Sequence, residues 1–168
     1  MKILKPYLIG QMTIDPITYQ WREDIVEHAK TFPREIQAHL DIINPCANKF
    51  STKIMNETDK SNPENFAINV NKYGQSRLFP AVDKSYVKED SNCAIFNANH
   101  YTKDIPFIGT IFELAWYHDQ PWKPVVGVLE GDPAEDFLCK HPFVVDTVHT
   151  WVKSPIEAFN LLVSLLRS

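Results

Sequence analysis

One glutamate, Glu113, stands in an otherwise apolar stretch, residues 109–115 (GTIFELA). The stretch is predicted to open a helix after the carboxyl end of a strand, with Glu113 in or near the first turn. Unpaired amides and the positive end of the helix dipole favour an ionised carboxylate there. That is the form a nucleophile needs. Glutamates at this place in a helix are common for stability alone, so its position makes Glu113 a candidate and no more.

Several common catalytic and cofactor-binding patterns are absent from the sequence. It has no Walker phosphate loop, no G-x-G-x-x-G and only five glycines, which argues against kinases and dehydrogenases. G-x-S-x-G and H-E-x-x-H are also missing, which removes two frequent hydrolase signatures. The three cysteines, Cys46, Cys93 and Cys139, form no C-x-x-C pair and have no histidine at zinc-ligand spacing. We therefore expect reduced thiols and predict neither a metal nor another cofactor.

Length and charge favour a single domain spanning residues 1–168. A chain of 168 residues with 44% hydrophobic residues can bury one compact core. The net charge is −4 and no basic run is present, so duplex nucleic acid is an improbable partner. No apolar run is long enough to cross a membrane, and Pro6 interrupts the short one at the N-terminus. These features predict a cytoplasmic protein without a membrane segment.

Strand and helix patterns alternate from the start of the chain. Residues 3–10 (ILKPYLIG) are predicted to form a buried strand, followed by a helix with Asp15 as N-cap and Pro16 in first position. One face of this helix is expected to pack on a sheet and the other to meet water. The packed face comprises Ile17, Trp21, Ile25 and Ala29, and the water-facing side comprises Arg22, Glu23, Glu27 and Lys30.

The alternation continues to the end of the chain. Further strands are predicted at residues 39–45, 93–98, 123–129 and 141–148, and further helices at residues 83–90, at 109–118 and from 155 onward. Residues 46–81 are rich in Asn, Ser, Lys and Pro and are predicted to form a long substrate loop. Together these elements predict an α/β fold, a flavodoxin-like or Rossmann-like doubly wound, mainly parallel sheet of about five strands flanked by helices. Ligands of such sheets bind beyond the carboxyl ends of the strands.

Four stretches in register resemble the nucleoside 2-deoxyribosyltransferase superfamily, which also contains nucleotide N-glycosidases. They cover nearly the whole chain outside the long loop. The stretches are YLIG at residues 7–10; Asp83 and Tyr86-Val87 ahead of NCAIFN at 92–97; GTIFEL at 109–114; and KPVV at 123–126 leading to HPF at 141–143.

The resemblance implies a role for each of three side chains. Glu113 would attack the anomeric carbon of a 2-deoxynucleoside and give a covalent glycosyl-enzyme, the logic that also governs retaining glycosidases. Tyr7 would hydrogen-bond Glu113 and orient it. Asp83 would contact the base and help protonate the departing ring nitrogen. Further substrate contacts are expected from Gly10, Arg77, Asn92, Asn97, Gly109, Thr110 and His141.

The chain also departs from the family pattern. Asn92 stands where members usually carry an aspartate, although Asp90 is close by. Asp104 is the nearest match to a further acid that transferases often have before the glycine of the glutamate motif. His141 aligns with an asparagine that a neighbouring subunit contributes in many transferases, and its charge depends on pH. These differences bear on base specificity more than on the nucleophile.

Aromatic residues suggest both a pocket lining and a subunit interface. The long loop contains Phe50, Phe66, Tyr73, Arg77 and Phe79, of which Arg77 is the candidate clamp for a phosphate or carboxylate. Trp116, Tyr117 and Trp122 cluster around the helix of Glu113, and they predict more exposed aromatic surface than a small monomer usually has. Part of this surface is expected to form a subunit interface. The resemblance implies a homo-oligomer in which a neighbouring subunit completes the pocket.

Three functions remain open from the sequence. The first is 2-deoxyribosyl transfer between nucleobases, and the second is hydrolysis of the N-glycosidic bond of nucleoside 5′-monophosphates. Since only Arg77 and Lys84 offer positive charge near the motifs, nucleosides are favoured over monophosphates. The third is a nucleotide-binding sensor or partner module with little turnover, which the missing family acids keep open.

Overall fold

A computed structural model of the protein describes residues 2–12, 15–47, 78–99, 101 and 108–167. Four strands form one sheet in the order β1-β2-β3-β4, and every neighbouring pair is parallel. The strands are β1 (Pro6–Ile9), β2 (Cys93–Asn97), β3 (Val125–Val128) and β4 (Thr150–Val152). The α/β, doubly wound architecture predicted from the sequence is confirmed, with four strands where about five were predicted.

Two of the predicted strands are wrong in whole or in part. The segment predicted at residues 39–45 contacts β1 only through isolated parallel bridges, Leu4 with Leu40 and Tyr7 with Ile43. The segment predicted at residues 141–148 contains a helix, Pro142–Thr147, and the strand β4 follows it. Pro142 occupies the first helical position, and Val144 and Thr147 are buried three residues apart, which is helical spacing.

The helix predicted to begin at Pro16 is divided in two. Asp15 caps a short 3-10 helix, Pro16–Thr18, by accepting a hydrogen bond from the Ile17 amide at 3.1 Å. The α-helix α1 (Gln20–Ala29) follows. Its predicted inner residues Trp21, Ile25 and Ala29 are buried as expected, whereas Ile17 is 54% exposed.

Arg22, predicted to face water, is buried. Its guanidinium donates to the carbonyl oxygens of Leu8 at 3.2 Å, Thr18 at 2.9 Å and Gly10 at 2.7 Å, and it lies over the Trp21 ring. Because three carbonyl groups replace water around the charge, this arginine can lie inside. It ties α1 to the carboxyl end of β1.

The remaining helices flank the sheet. They are α2 (Arg34–Gln37), α3 (Leu78–Ser85), α4 (Ile108–His118), α5 (Pro142–Thr147) and α6 (Pro155–Ser164), with 3-10 turns at Pro45–Ala47 and Leu165–Arg167 and a π-helix at Tyr86–Asp90. The predicted cap of the last helix is present, since the Ser154 hydroxyl accepts from the Glu157 amide at 3.2 Å.

Alternation along the strands divides the core into two layers. On one face, Leu8, Ile95 and Val126 pack with residues of α1 and α6. On the other face, Tyr7 and Phe96 pack with α4, whose Leu114 and Tyr117 belong to the same cluster. Successive side chains of a strand point to opposite faces, so β1 directs Tyr7 toward α4. No helix in the described ranges is long and apolar enough to cross a membrane.

Candidate functional site

Tyr7 and Glu113, 106 residues apart in sequence, meet between the sheet and α4. The Tyr7 hydroxyl donates a hydrogen bond of 2.6 Å to Oε1 of Glu113. Tyr7 is completely buried and Glu113 is 9% exposed. A bond this short between a phenol and a carboxyl group fixes the orientation of the carboxyl group. The structure thus brings together the pair that the resemblance implies.

Glu113 lies deeper in its helix than predicted. α4 begins at Ile108, so Glu113 is in the second turn, beyond the free amides of the first. Burial, and then the negative charge of Asp83, raise the pKa of Glu113 to about 8. The hydrogen bond from Tyr7 and the charge of Arg22 act in the opposite direction without cancelling this rise. The predicted first-turn position of Glu113, from which the helix dipole would favour the ionised form, is therefore wrong.

Asp83 is the second carboxyl group of the site. It lies in the second turn of α3, two residues before the helix ends at Ser85. Burial raises the pKa of Asp83 to about 6, while the nearby Tyr7 hydroxyl and the charge of Arg22 oppose the rise. The single proton of the Tyr7 hydroxyl is donated to Glu113. Its own pKa is raised well above the ordinary value, by burial first and then by these two negative charges, so it stays protonated.

A cavity of about 490 Å³ opens beside the two acids. Its size falls within the range of small-molecule sites, roughly 300–1,000 Å³. Its walls are mainly apolar or aromatic, and the charged side chains on them are the two carboxyl groups. The described lining residues are Pro80, Asp83, Ile108, Gly109, Phe112, Glu113 and Trp116. A flat, uncharged ring could pack on this apolar surface, next to the two carboxyl groups, which can donate or accept protons.

Two of the predicted substrate-binding residues lie on α4. Gly109 lines the cavity, and a Cβ at this position would meet nothing within 4 Å. Thr110 is buried and does not line the cavity. At the end of β1, a Cβ on Gly10 would lie 3.2 Å from Cζ2 of Trp21. This close approach gives Gly10 a packing role near Arg22.

The asparagines and the histidine lie away from the acid pair. Asn92 accepts from the Lys5 amide at 2.8 Å and donates to the Ile3 carbonyl at 2.7 Å, so it joins β2 to the start of the chain. Asn97 ends β2 and is buried, and its Nδ2 has no hydrogen-bond partner among the described residues. His141 is exposed before α5, where its ring lies 5.7 Å from that of Phe143. None of these three lines the cavity.

Other predicted positions lie outside the described residues. They are Arg77, Asp104 and the loop aromatics Phe50, Phe66 and Tyr73, together with the side chain of Phe79.

The cavity walls include residues that the sequence analysis did not single out for binding. Ile108, Phe112 and Trp116 follow one another at four-residue spacing on α4, directly beside Gly109 and Glu113. This apolar stripe was available in the sequence as a helical pattern next to the candidate nucleophile. Pro80 lies on α3, one turn before Asp83, and no pattern in the sequence marks it as a lining residue.

Searches with this chain found no matching protein family, no similar curated protein and no similar solved structure. Among the described residues, no group of three or more His, Cys, Asp or Glu side chains is arranged to hold a metal ion.

Proposed function

We propose that the protein is a relative of the nucleoside 2-deoxyribosyltransferases and transfers 2-deoxyribose between nucleobases through a covalent intermediate on Glu113. The observation that carries this proposal is the 2.6 Å hydrogen bond between the buried Tyr7 hydroxyl and Glu113 at the wall of a cavity that Asp83 also lines. An oriented carboxyl group beside a second acid is the pair that retaining glycosyl transfer requires.

The proposed reaction has two symmetrical halves. In the first, an oxygen of ionised Glu113 bonds to C1′ of the sugar as the bond from C1′ to the base nitrogen breaks. Asp83 supplies the proton that the departing base takes up. In the second, the nitrogen of another base attacks C1′, Glu113 leaves as a carboxylate, and Asp83 accepts the proton released.

The two pKa values fix where the shared proton lies before the reaction. Between pH about 6 and about 8, where Asp83 and Glu113 respectively titrate, the pair holds one proton in total, and it resides mainly on Glu113. The proposed reaction needs Glu113 ionised and Asp83 protonated, so the proton must pass from Glu113 to Asp83 before attack. The pair then ends each half-reaction ready for the reverse step.

Charge on the cavity wall favours nucleosides over nucleoside monophosphates. In the described part of the wall, Asp83 and Glu113 are the charged residues and both are acidic. A phosphate dianion near them would be repelled and would have no described cation to bind. The aromatic surface of Phe112 and Trp116, whose ring centroids are 6.2 Å apart, suits a base.

We further propose that a second copy of the chain covers the cavity mouth. Ile108 and Phe112 line the cavity and are nevertheless 62% and 57% exposed. Large apolar side chains exposed side by side on one helix are typical of surfaces that a partner covers. A homo-oligomer would bury them and close the site from water.

The test is a base-exchange assay with purified protein. A panel of 2-deoxynucleosides and their 5′-monophosphates is incubated with and without a second free base, and products are separated by chromatography. We expect exchange from nucleosides that requires the second base and is lost in Glu113→Gln. Base release from monophosphates alone would replace the transferase with a hydrolase. Tight binding without turnover, unchanged in Glu113→Gln, would instead support a binding module.

A further inference from the structure

The helix that carries Asp83 does not end as an ordinary α-helix. After α3 the chain winds through one π-helical turn, Tyr86–Asp90, closed by a hydrogen bond of 2.8 Å from the Ser91 amide to the Tyr86 carbonyl. π-Helical turns are rare and frequent at functional sites. The turn begins three residues after Asp83, so its geometry determines where α3, and with it the carboxyl group, can lie.

A buried lysine from another part of the chain binds the end of this turn. The Lys123 ammonium donates to the carbonyl oxygens of Val87 at 2.7 Å and Lys88 at 3.0 Å. The Asn92 amide is the next in the chain that could donate to these carbonyl oxygens, but it donates to the Lys5 carbonyl at 3.1 Å instead. A positive charge also suits the carboxyl end of a helix. Lys123, only 7% exposed, thus supplies donors that the turn itself lacks.

A second buried contact joins the same turn to the helix of Glu113. The Tyr117 hydroxyl lies 2.6 Å from the Ser91 hydroxyl and donates to the Cys93 carbonyl at 3.1 Å. Ser91 Oγ is in turn 3.1 Å from the Val87 carbonyl. Tyr117 follows Glu113 by four residues on α4, so both side chains project from one face of that helix.

From these contacts we propose that Lys123, with Ser91 and Tyr117, sets the separation of the Asp83 and Glu113 carboxyl groups, and that Lys123 is a positioning residue for the site. The network joins the π-turn behind Asp83 to the helix face that bears Glu113, and it touches neither carboxyl group. This positioning role concerns the site of the transfer reaction proposed above, and only its kinetic test rests on that proposed function.

A positioning role has an electrostatic consequence. The groups that act on Glu113 are Asp83, which raises its pKa, and Tyr7 and Arg22, which lower it. If the π-turn loses its lysine, α3 relaxes and Asp83 moves away from Glu113. The repulsion between the two acids then weakens with distance, and Glu113 ionises more readily.

The experiment compares Lys123→Met with Lys140→Met, which removes the charge of an exposed lysine elsewhere, and with Lys123→Arg, which keeps a cationic donor. The titration of Glu113 is followed by carboxyl ¹³C NMR and assigned with Glu113→Gln. In Lys123→Met we expect the acid dissociation constant of Glu113 to rise roughly tenfold, with Lys140→Met unchanged and Lys123→Arg closer to wild type. In the exchange assay kcat should fall about 10- to 100-fold with a smaller change in KM.

The outcomes separate this proposal from the proposed function. An unchanged Glu113 titration in a folded Lys123→Met protein would overturn the positioning role. If Lys123→Met does not fold, Tyr117→Phe removes one hydroxyl from the same network, and an unchanged titration there would have the same meaning. A wild-type protein without exchange activity would defeat the proposed reaction, while the NMR titration would still decide whether Lys123 sets the distance between the acids.

Discussion

The Tyr7 hydroxyl has one proton to donate, and it donates that proton to the buried Glu113 carboxyl group. Its hydrogen bond lowers the pKa of Glu113 against the rise that burial causes. In Tyr7→Phe that bond is lost, so the pKa of Glu113 should move above about 8. Since the attacking form in the proposed reaction is the carboxylate, the rising limb of kcat/KM against pH should shift to higher pH, with activity near neutrality reduced about 10- to 100-fold. A pH profile with an unmoved limb would contradict the orienting role of Tyr7.

Glu113 also makes stability depend on pH in a defined direction. Its folded pKa of about 8 lies above the ordinary value of 4.5, so the folded state holds its proton more tightly than the unfolded state does. The contribution of this group to stability is full below pH 4.5 and is lost as pH rises through about 8. Glu113→Gln should therefore raise Tm relative to wild type at alkaline pH and change it little at acidic pH. A difference in Tm that is constant across pH would contradict the burial of an ionisable acid here.

Part of the site was accessible from residue patterns. Glu113 and Tyr7 meet, and Asp83 lines the same cavity, because the strand of Tyr7 and the helix of Glu113 have strong local signals. The helix of Asp83 was predicted less well, since residues 83–90 were expected to be helical and the α-helix spans Leu78–Ser85, followed by the π-helix Tyr86–Asp90. The ionisation state of Glu113 could not be predicted from the sequence. It depends on how far α4 extends before the glutamate and on which residues bury the carboxyl group. Arg22 was misjudged for a related reason: its surface-like spacing on α1 gave no sign of the three carbonyl oxygens that surround its guanidinium.

At the level of elements, Gly127 of β3 lies directly against the Trp151 ring of β4. A Cβ on this residue would lie 2.5 Å from Cε3 of Trp151, its partner in register. Gly127→Ala should therefore force the indole to move and lower the free energy of unfolding by about 1–3 kcal/mol. Gly131→Ala is the matched control, since a Cβ there meets nothing within 4 Å. Equal denaturation midpoints for the two variants would show that the Trp151 ring can move aside without loss of stability.

The elements that sequence patterns misassigned are short and lie near proline. Residues 141–148 have the β-branched content of a strand, yet Pro142 starts a helix there, and β4 is confined to three residues. At residues 39–45, two isolated bridges replace a full ladder. Long periodic helices with caps, such as α6 behind Ser154, were predictable because local and tertiary preferences agree.

For the whole molecule, the exposed apolar side chains at the cavity mouth predict self-association. Ile108→Ser combined with Phe112→Ser should shift the protein toward monomer in analytical ultracentrifugation, because the buried apolar area is lost. Phe137→Ser is the control, since Phe137 is 90% exposed and does not line the cavity. A wild-type protein that is monomeric at all concentrations would contradict the proposal that a second copy covers the site.

The architecture as a whole followed from the alternation of strand and helix, since a parallel sheet needs helical crossovers. The proposed function depends on one covalent bond, between a Glu113 oxygen and C1′ of the sugar. The most direct measurement is the intact mass of the protein after incubation with a 2-deoxynucleoside and no acceptor base, followed by peptide mapping. We predict the added mass of one 2-deoxyribosyl group on the peptide that contains Glu113, removed when a free base is added and absent in Glu113→Gln. No adduct on a substrate that the protein turns over, or an adduct on another residue, would contradict the assignment of Glu113 as the nucleophile.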